Sequence, residues 1–187
     1  MKELIYEDQL RKIFSNINDW LRFAEAKNFG LLTFNAAVIF GLSKISFDDN
    51  SIFKISTLYI FSSLSLISSL FCIISMFPIL TKIEKGNILK GAISKLSQFI
   101  DKENKFENIH FFGYLRGLNT EQFIEKFRSK TSGISDFTEY EKELVVQILY
   151  NARITWLKYQ LFKIAGFFTL SGIVLGVLSL PILKIIL

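Results

Sequence analysis

The side chains able to do chemistry are few and scattered. The chain has one histidine, His110, and one cysteine, Cys72. Neither has a partner at a spacing that would build a metal site, a disulfide or a nucleophile–base pair. HExxH, GxSxG and a glycine-rich phosphate loop are all missing from the sequence, so an enzyme is not expected. What remains is polar chemistry at helical spacing. Beyond Asp136 successive residues turn by about 100° on a helix, which gathers Glu143, Gln147, Asn151 and Lys158 on one stripe, with Arg153 to its side. Tyr140, Leu144, Ile148, Ala152 and Tyr159 gather on another. The polar stripe is either a solvated face or the surface that meets a ligand or partner.

Within apolar runs, polar residues mean more. Asn35 stands one heptad after Asn28, so the two share a side of a helix. An amide there is costly unless bonded, and it either fixes helix packing or lines a gate or pore. Ser62, Ser65 and Ser69 lie on one face of a serine-rich run, and Gly172 with Gly176 forms a small-xxx-small pair. Both patterns permit close helix contact and are compatible with a homo-oligomer. Cys72 reads as a filler thiol. Phe106, Phe111, Phe112 and Tyr114, beside Arg116, read as core or membrane-interface anchors rather than as a base-stacking surface.

The elements that must position these residues follow from how charge is distributed. Of 187 residues 50% are hydrophobic, more than a soluble domain of this size carries, and uncharged runs alternate with runs dense in Lys, Arg and Glu. The net charge of +5 fits cytoplasmic enrichment of Lys and Arg, and no nucleic-acid partner is expected. The predicted class is an all-α integral membrane protein with three transmembrane helices and a helical cytosolic portion, its main partner the lipid bilayer. The expected order is a cytosolic helix over 1–27, a first span over 28–45, an external loop over 46–54 and a second span over 55–81. A cytosolic helical segment over 82–163, a third span over 164–183 and an external tail over 184–187 complete it. The first run falls short of the roughly 20 residues one crossing needs, and Lys27, Lys44, Phe23 and Phe47 extend it. Orientation follows the positive charges: the loop sets Asp48 and Asp49 against Lys54, whereas 82–163 is rich in Lys and Arg and stays inside. The first 27 residues are charged throughout, so no cleaved signal peptide is expected there.

Helix signals divide the charged segments. Tyr6, Leu10, Ile13, Ile17, Trp20 and Ala24 form one stripe leading to the first span. Ile88, Ala92, Leu96 and Phe99 predict an amphipathic helix after Lys82, weakened by Gly86 and Gly91. Asn119 with Gln122 predicts a cap opening Thr120–Arg128, and Ser132, Gly133 and Ser135 mark a break. Asp136 with Glu139 predicts a second cap, opening a helix that continues through Lys163 into the third span. Two such long helices would link a cytosolic sensor to the bilayer.

Three pieces carry a family resemblance: Arg22 to Asn28 (RFAEAKN) entering the first span; Phe111-Phe-Gly followed by Asn119-Thr-Glu-Gln-Phe123; and YEKELVVQILYNARITWLKY from Tyr140. With the order of spans, the chain resembles the transmembrane effectors of the bacterial Pycsar anti-phage system from about Leu21 to Leu183. The resemblance implies that phage infection triggers synthesis of a cyclic pyrimidine mononucleotide (cUMP or cCMP). That ligand activates the effector, which impairs the inner membrane and halts the infected cell. It also implies ligand-responsive residues among Glu25, Lys27, Asn28, Gln147, Arg153 and Lys158. The chain lacks the β-rich, glycine-rich phosphate cassette of a dedicated cyclic-nucleotide-binding fold, so sensing is either direct or through a nucleotide-binding partner. Two other readings stand beside this one: a ligand-gated channel lined by Asn35 and the serine face, and a membrane tether docking a cytosolic partner around Gln147. If the resemblance holds, Arg153→Glu and Lys158→Glu each abolish the response to the signal while membrane insertion, followed by fractionation, is unchanged; an unchanged response in both removes them from the site.

Overall fold

A computed structural model describes residues 3–44, 52–77, 107–131 and 136–186. Among these are five helices and no strand: α1 (Glu3–Leu42), α2 (Ile52–Met76), α3 (Phe112–Leu115), α4 (Thr120–Thr131) and α5 (Glu139–Ile186). The helix expected after Lys82, the loop over 46–51, residues 78–81 of the second span, the break at 132–135 and Phe106 lie outside the described residues. The two long helices expected from the sequence are present. α1 runs for 40 residues and α5 for 48, the latter about 70 Å at the α-helical rise.

Helix starts follow local hydrogen bonding. α4 opens on the expected reciprocal cap, the Gln122 N–H donating to Asn119 Oδ1 at 2.8 Å and the Asn119 N–H to Gln122 Oε1 at 3.0 Å. It continues past the expected end at Arg128 to Thr131. The second cap is not Asp136 with Glu139 but Thr138 with Glu141. Glu141 Oε2 accepts from the Thr138 N–H at 2.7 Å and from its hydroxyl at 2.9 Å, and Thr138 Oγ1 accepts from the Glu141 N–H at 3.3 Å. Since the helix begins at Glu139, only Glu141 stands three residues beyond the cap, where a carboxylate can reach back. Asp136 instead pairs with Arg128 at 2.9 Å, and Glu139 with Lys142 at 2.7 Å.

The chain forms two compact units, one of Met1–Ala24 and Gln98–Tyr159, the other of Glu25–Ser97 and Gln160–Leu187. The first has an ordinary hydrophobic core. α1 contributes Tyr6, Leu10, Ile13 and Ile17 as its stripe predicted, α4 contributes Phe123 and Phe127, and α5 contributes Val145, Ile148 and Ala152. Trp20 departs from the buried stripe at 37% exposure. Its ring nevertheless lies 5.7 Å from that of Phe112, which stacks on Tyr159 at 5.0 Å. Tyr6 stacks on Phe137 at 5.9 Å and meets Phe127 edge-on at 5.8 Å. Phe112 is thus core, with Phe111 and Tyr114 packed against it.

The second unit is patterned the other way. Asn28, Asn35, Ser65, Ser68 and Thr169 are buried, while Phe29, Phe34, Tyr59, Leu66, Phe167 and Leu170 are exposed. Among the described residues two helices, not the three expected, are long and apolar enough to cross a membrane: Ile55–Met76 and Glu139–Gly176. The expected span over 28–45 does not qualify, because α1 ends at Leu42 and Asn28, Thr33 and Asn35 dilute its apolar run.

The fully buried Phe123 anchors the first unit, so Phe123→Ala is expected to lower stability by about 3–5 kcal/mol and Leu10→Ala by about 2–5 kcal/mol. Exposed Phe34→Ala is expected to leave that unit's unfolding unchanged. Chemical denaturation with limited proteolysis of detergent-solubilised protein checks all three.

Candidate functional site

The second unit holds its polar side chains in a closed ring. Asn35 of α1 donates through Nδ2 to Ser68 Oγ of α2 at 2.8 Å. Thr169 of α5 donates through Oγ1 to Asn35 Oδ1 at 2.9 Å. Ser68 Oγ lies 2.8 Å from both Thr169 Oγ1 and the Ala165 carbonyl. Its single proton thus has two acceptors: turned to Thr169 it closes the cycle of side chains, and turned to Ala165 it satisfies a backbone carbonyl. Thr169 lies one helical turn beyond Ala165, whose carbonyl, 3.2 Å from Oγ1, is the alternative acceptor for the one Thr169 hydroxyl proton. Asn35 and Ser68 are fully buried and Thr169 nearly so. One amide and two hydroxyls therefore bind three helices together with no charge.

Asn35 was singled out from the sequence; Ser68 and Thr169 were not. Of the serines that were, Ser62 is half-buried, Ser65 is fully buried, and Ser69 folds its hydroxyl back on the Ser65 carbonyl at 2.9 Å. The buried line is instead Ser65, Ser68, Cys72 and Ser75, alternating three and four residues apart. The signal was the heptad alternation itself, visible once Cys72 is grouped with the serines as a small residue. The Gly172 and Gly176 pair serves a contact within the chain. A Cβ on Gly172 would stand 2.7 Å from Phe61 Cδ2, and one on Gly176 would stand 3.8 Å from Cδ1, so the pair makes room for the Phe61 ring of α2.

The residues implied by the resemblance fall in both units. Glu25, Lys27 and Asn28 belong to the second: Glu25 is exposed, Asn28 is fully buried, and Lys27 Nζ lies 5.5 Å from the centre of the Phe162 ring. Gln147, Arg153 and Lys158 belong to the first, where Gln147 is exposed and Lys158 buried. The Arg153 guanidinium braces the turn after α3, donating to the Leu118 carbonyl at 3.0 Å and the Arg116 carbonyl at 3.3 Å. Arg116 in turn stacks over Trp156 at 3.9 Å and donates to the Gly113 carbonyl at 3.1 Å. Charge reversal at Arg153 would therefore also loosen this turn, and Arg153→Lys, which keeps the charge, separates the two effects. Asn151 of the polar stripe donates to Asn18 Oδ1 at 2.8 Å, fastening α5 to α1. Arg11 donates to the Tyr140 hydroxyl at 2.6 Å, its own pKa raised by its hydrogen bond to Glu7. His110 acts through its backbone, its carbonyl accepting from Asn16 at 2.7 Å. Among the described residues no three of His, Cys, Asp and Glu come together to hold a metal ion.

Two apolar helices and a polar-cored bundle with an apolar exterior define a helical, membrane-type protein. The family model of the Pycsar effector protein domain matches residues 9–183. The chain belongs to that family and is a Pycsar anti-phage effector. No curated protein and no solved structure matches it.

Thr169→Val keeps the shape of the side chain and deletes its hydroxyl, leaving Asn35 Oδ1 without that donor, and the expected cost is about 1 kcal/mol. Thr169→Ser keeps the hydroxyl and is expected to retain most of the stability. Thermal unfolding in detergent, followed by far-ultraviolet circular dichroism, should rank wild type and Ser above Val.

Proposed function

We propose that this chain is a membrane-acting effector of bacterial anti-phage defence, switched by a cyclic pyrimidine mononucleotide, cUMP or cCMP, and acting by impairing the inner membrane so that the infected cell stops growing or dies. The observation that carries this reading is the inverted second unit. In water its exterior of Phe29, Phe34, Tyr59, Leu66, Phe167 and Leu170 would be an apolar patch beyond what a soluble monomer tolerates. In lipid the same exterior meets its natural solvent, and the amide and hydroxyls of the ring are bonded internally as hydrocarbon requires.

The same pattern supports a third crossing by α1. Its stretch after Lys27 turns Phe29, Phe34 and Phe40 outward and Asn28 and Asn35 inward, so its mean hydropathy is low because its inward face is polar. On this reading the protein is multi-pass, with the N-terminus and residues 82–163 cytoplasmic by the distribution of Lys and Arg. The first unit is the sensor, binding the nucleotide itself or through a nucleotide-binding partner. The active form is a homo-oligomer or a rearranged bundle, for which the ligand must have the higher affinity. No catalysis and no metal enter the mechanism.

Liposomes carrying the purified protein are expected to release dye and pass ions on addition of cUMP or cCMP and to stay sealed with linear UMP. Sealed liposomes with every nucleotide, in protein shown to be folded and inserted, would move sensing to a partner.

A further inference from the structure

We propose that the buried seam of the second unit is a closed water path, kept shut in the resting protein by the Asn35–Ser68–Thr169 ring; the inference rests on the membrane-effector reading above. The seam is continuous along α2, where Ser65, Ser68 and Cys72 are fully buried and Ser75 is 1% exposed. α1 contributes Asn28 and Asn35, each fully buried. A bundle that needed only to hold together in lipid could use Ala and Gly here, because small size alone permits close packing. Hydroxyls and amides instead bring a requirement for partners that hydrocarbon cannot meet.

The ring meets that requirement for Asn35, Ser68 and Thr169. It does not reach Ser65, whose hydroxyl is fully buried and has no hydrogen-bond partner among the described residues. Water entering the seam would satisfy this hydroxyl, and lipid would not. The dry seam therefore leaves one hydroxyl unsatisfied that a wet seam would satisfy. What opposes wetting is the ring, together with the fit of Phe61 into Gly172. The side chains Ser65, Ser68, Cys72, Ser75, Asn28 and Asn35 carry no carboxylate or ammonium, so the open path would pass small hydrated ions with little preference for sign.

The single cysteine reads the state of the seam directly. A thiolate attacks the sulfenyl sulfur of a water-soluble methanethiosulfonate, forming a mixed disulfide and releasing methanesulfinate, and a thiol in a dry core is inert. In liposomes without nucleotide, wild type and Thr169→Ser are expected to stay sealed with Cys72 protected. Thr169→Val and Asn35→Ala are expected to leak and to expose Cys72 to labelling about tenfold faster than in wild type, since wetting admits water and reagent to the thiol. Moving the thiol within a Cys72→Ser background locates the path. Ser65→Cys is expected to label on opening, and Leu66→Cys, on the exposed side of the same helix, to stay unlabelled. Leakage with Cys72 and the Ser65→Cys thiol both protected would overturn the path and leave the effector reading standing, because ions would then cross through disordered lipid. Folded, inserted Thr169→Val and Asn35→Ala that both stay sealed would overturn the ring as the closure. The nucleotide-triggered leak of wild type tests the effector reading separately.

Discussion

Hydrocarbon gives apolar side chains no reason to leave it, so helices in a bilayer associate only through close fits and polar contacts. The second unit is built under that constraint. Many of its large apolar side chains point outward, with Leu161 and Ile164 buried, and its cohesion comes from the ring joining Asn35, Ser68 and Thr169 and from Phe61 lodged against Gly172. Phe71 stacked on Phe168 at 5.8 Å adds a further contact between α2 and α5. Each such polar contact is worth about 0.6–2 kcal/mol in a membrane, small enough for a binding event to reverse. A bundle held by a few neutral bonds can therefore be a stable resting state and still be switchable.

The first unit obeys the opposite rule, and two helices have to obey both. In α1 the residues facing inward are Tyr6, Leu10, Ile13 and Ile17 in the first unit, then Asn28 and Asn35 in the second. α5 does not reverse in this way: it buries Val145, Ile148 and Ala152 in the first unit and Leu161, Ile164 and Ala165 beside Thr169 in the second. In α1 the buried face thus turns from apolar to polar along one continuous helix.

That reversal explains which features were legible in the sequence. Long uncharged runs announced two of the three expected membrane helices, and Asn119 with Gln122 announced α4, because both depend on adjacent residues alone. The start of α5 was misread by two positions: Asp136–Glu139 and Thr138–Glu141 satisfy the same spacing, and which one caps depends on where the chain turns. Asn35 stood out as an amide in an apolar run, whereas Ser68 was one serine among several. Its selection over Ser62 depends on where α1 and α5 lie around α2, which no single-helix pattern contains. Arg153 is implied by the family resemblance, and its guanidinium braces two carbonyls of a turn whose path is set by tertiary packing.

Both tryptophans of the chain, Trp20 and Trp156, belong to the first unit. One has its ring near those of Phe112 and Tyr159, and the other lies beneath the Arg116 guanidinium. Intrinsic tryptophan emission from the intact protein therefore arises entirely from the first unit, without a fluorophore having to be added. The second unit has no indole and the chain's one thiol, so the two halves are spectroscopically and chemically separable as the protein stands, and the order in which they respond to a stimulus can be read within a single sample.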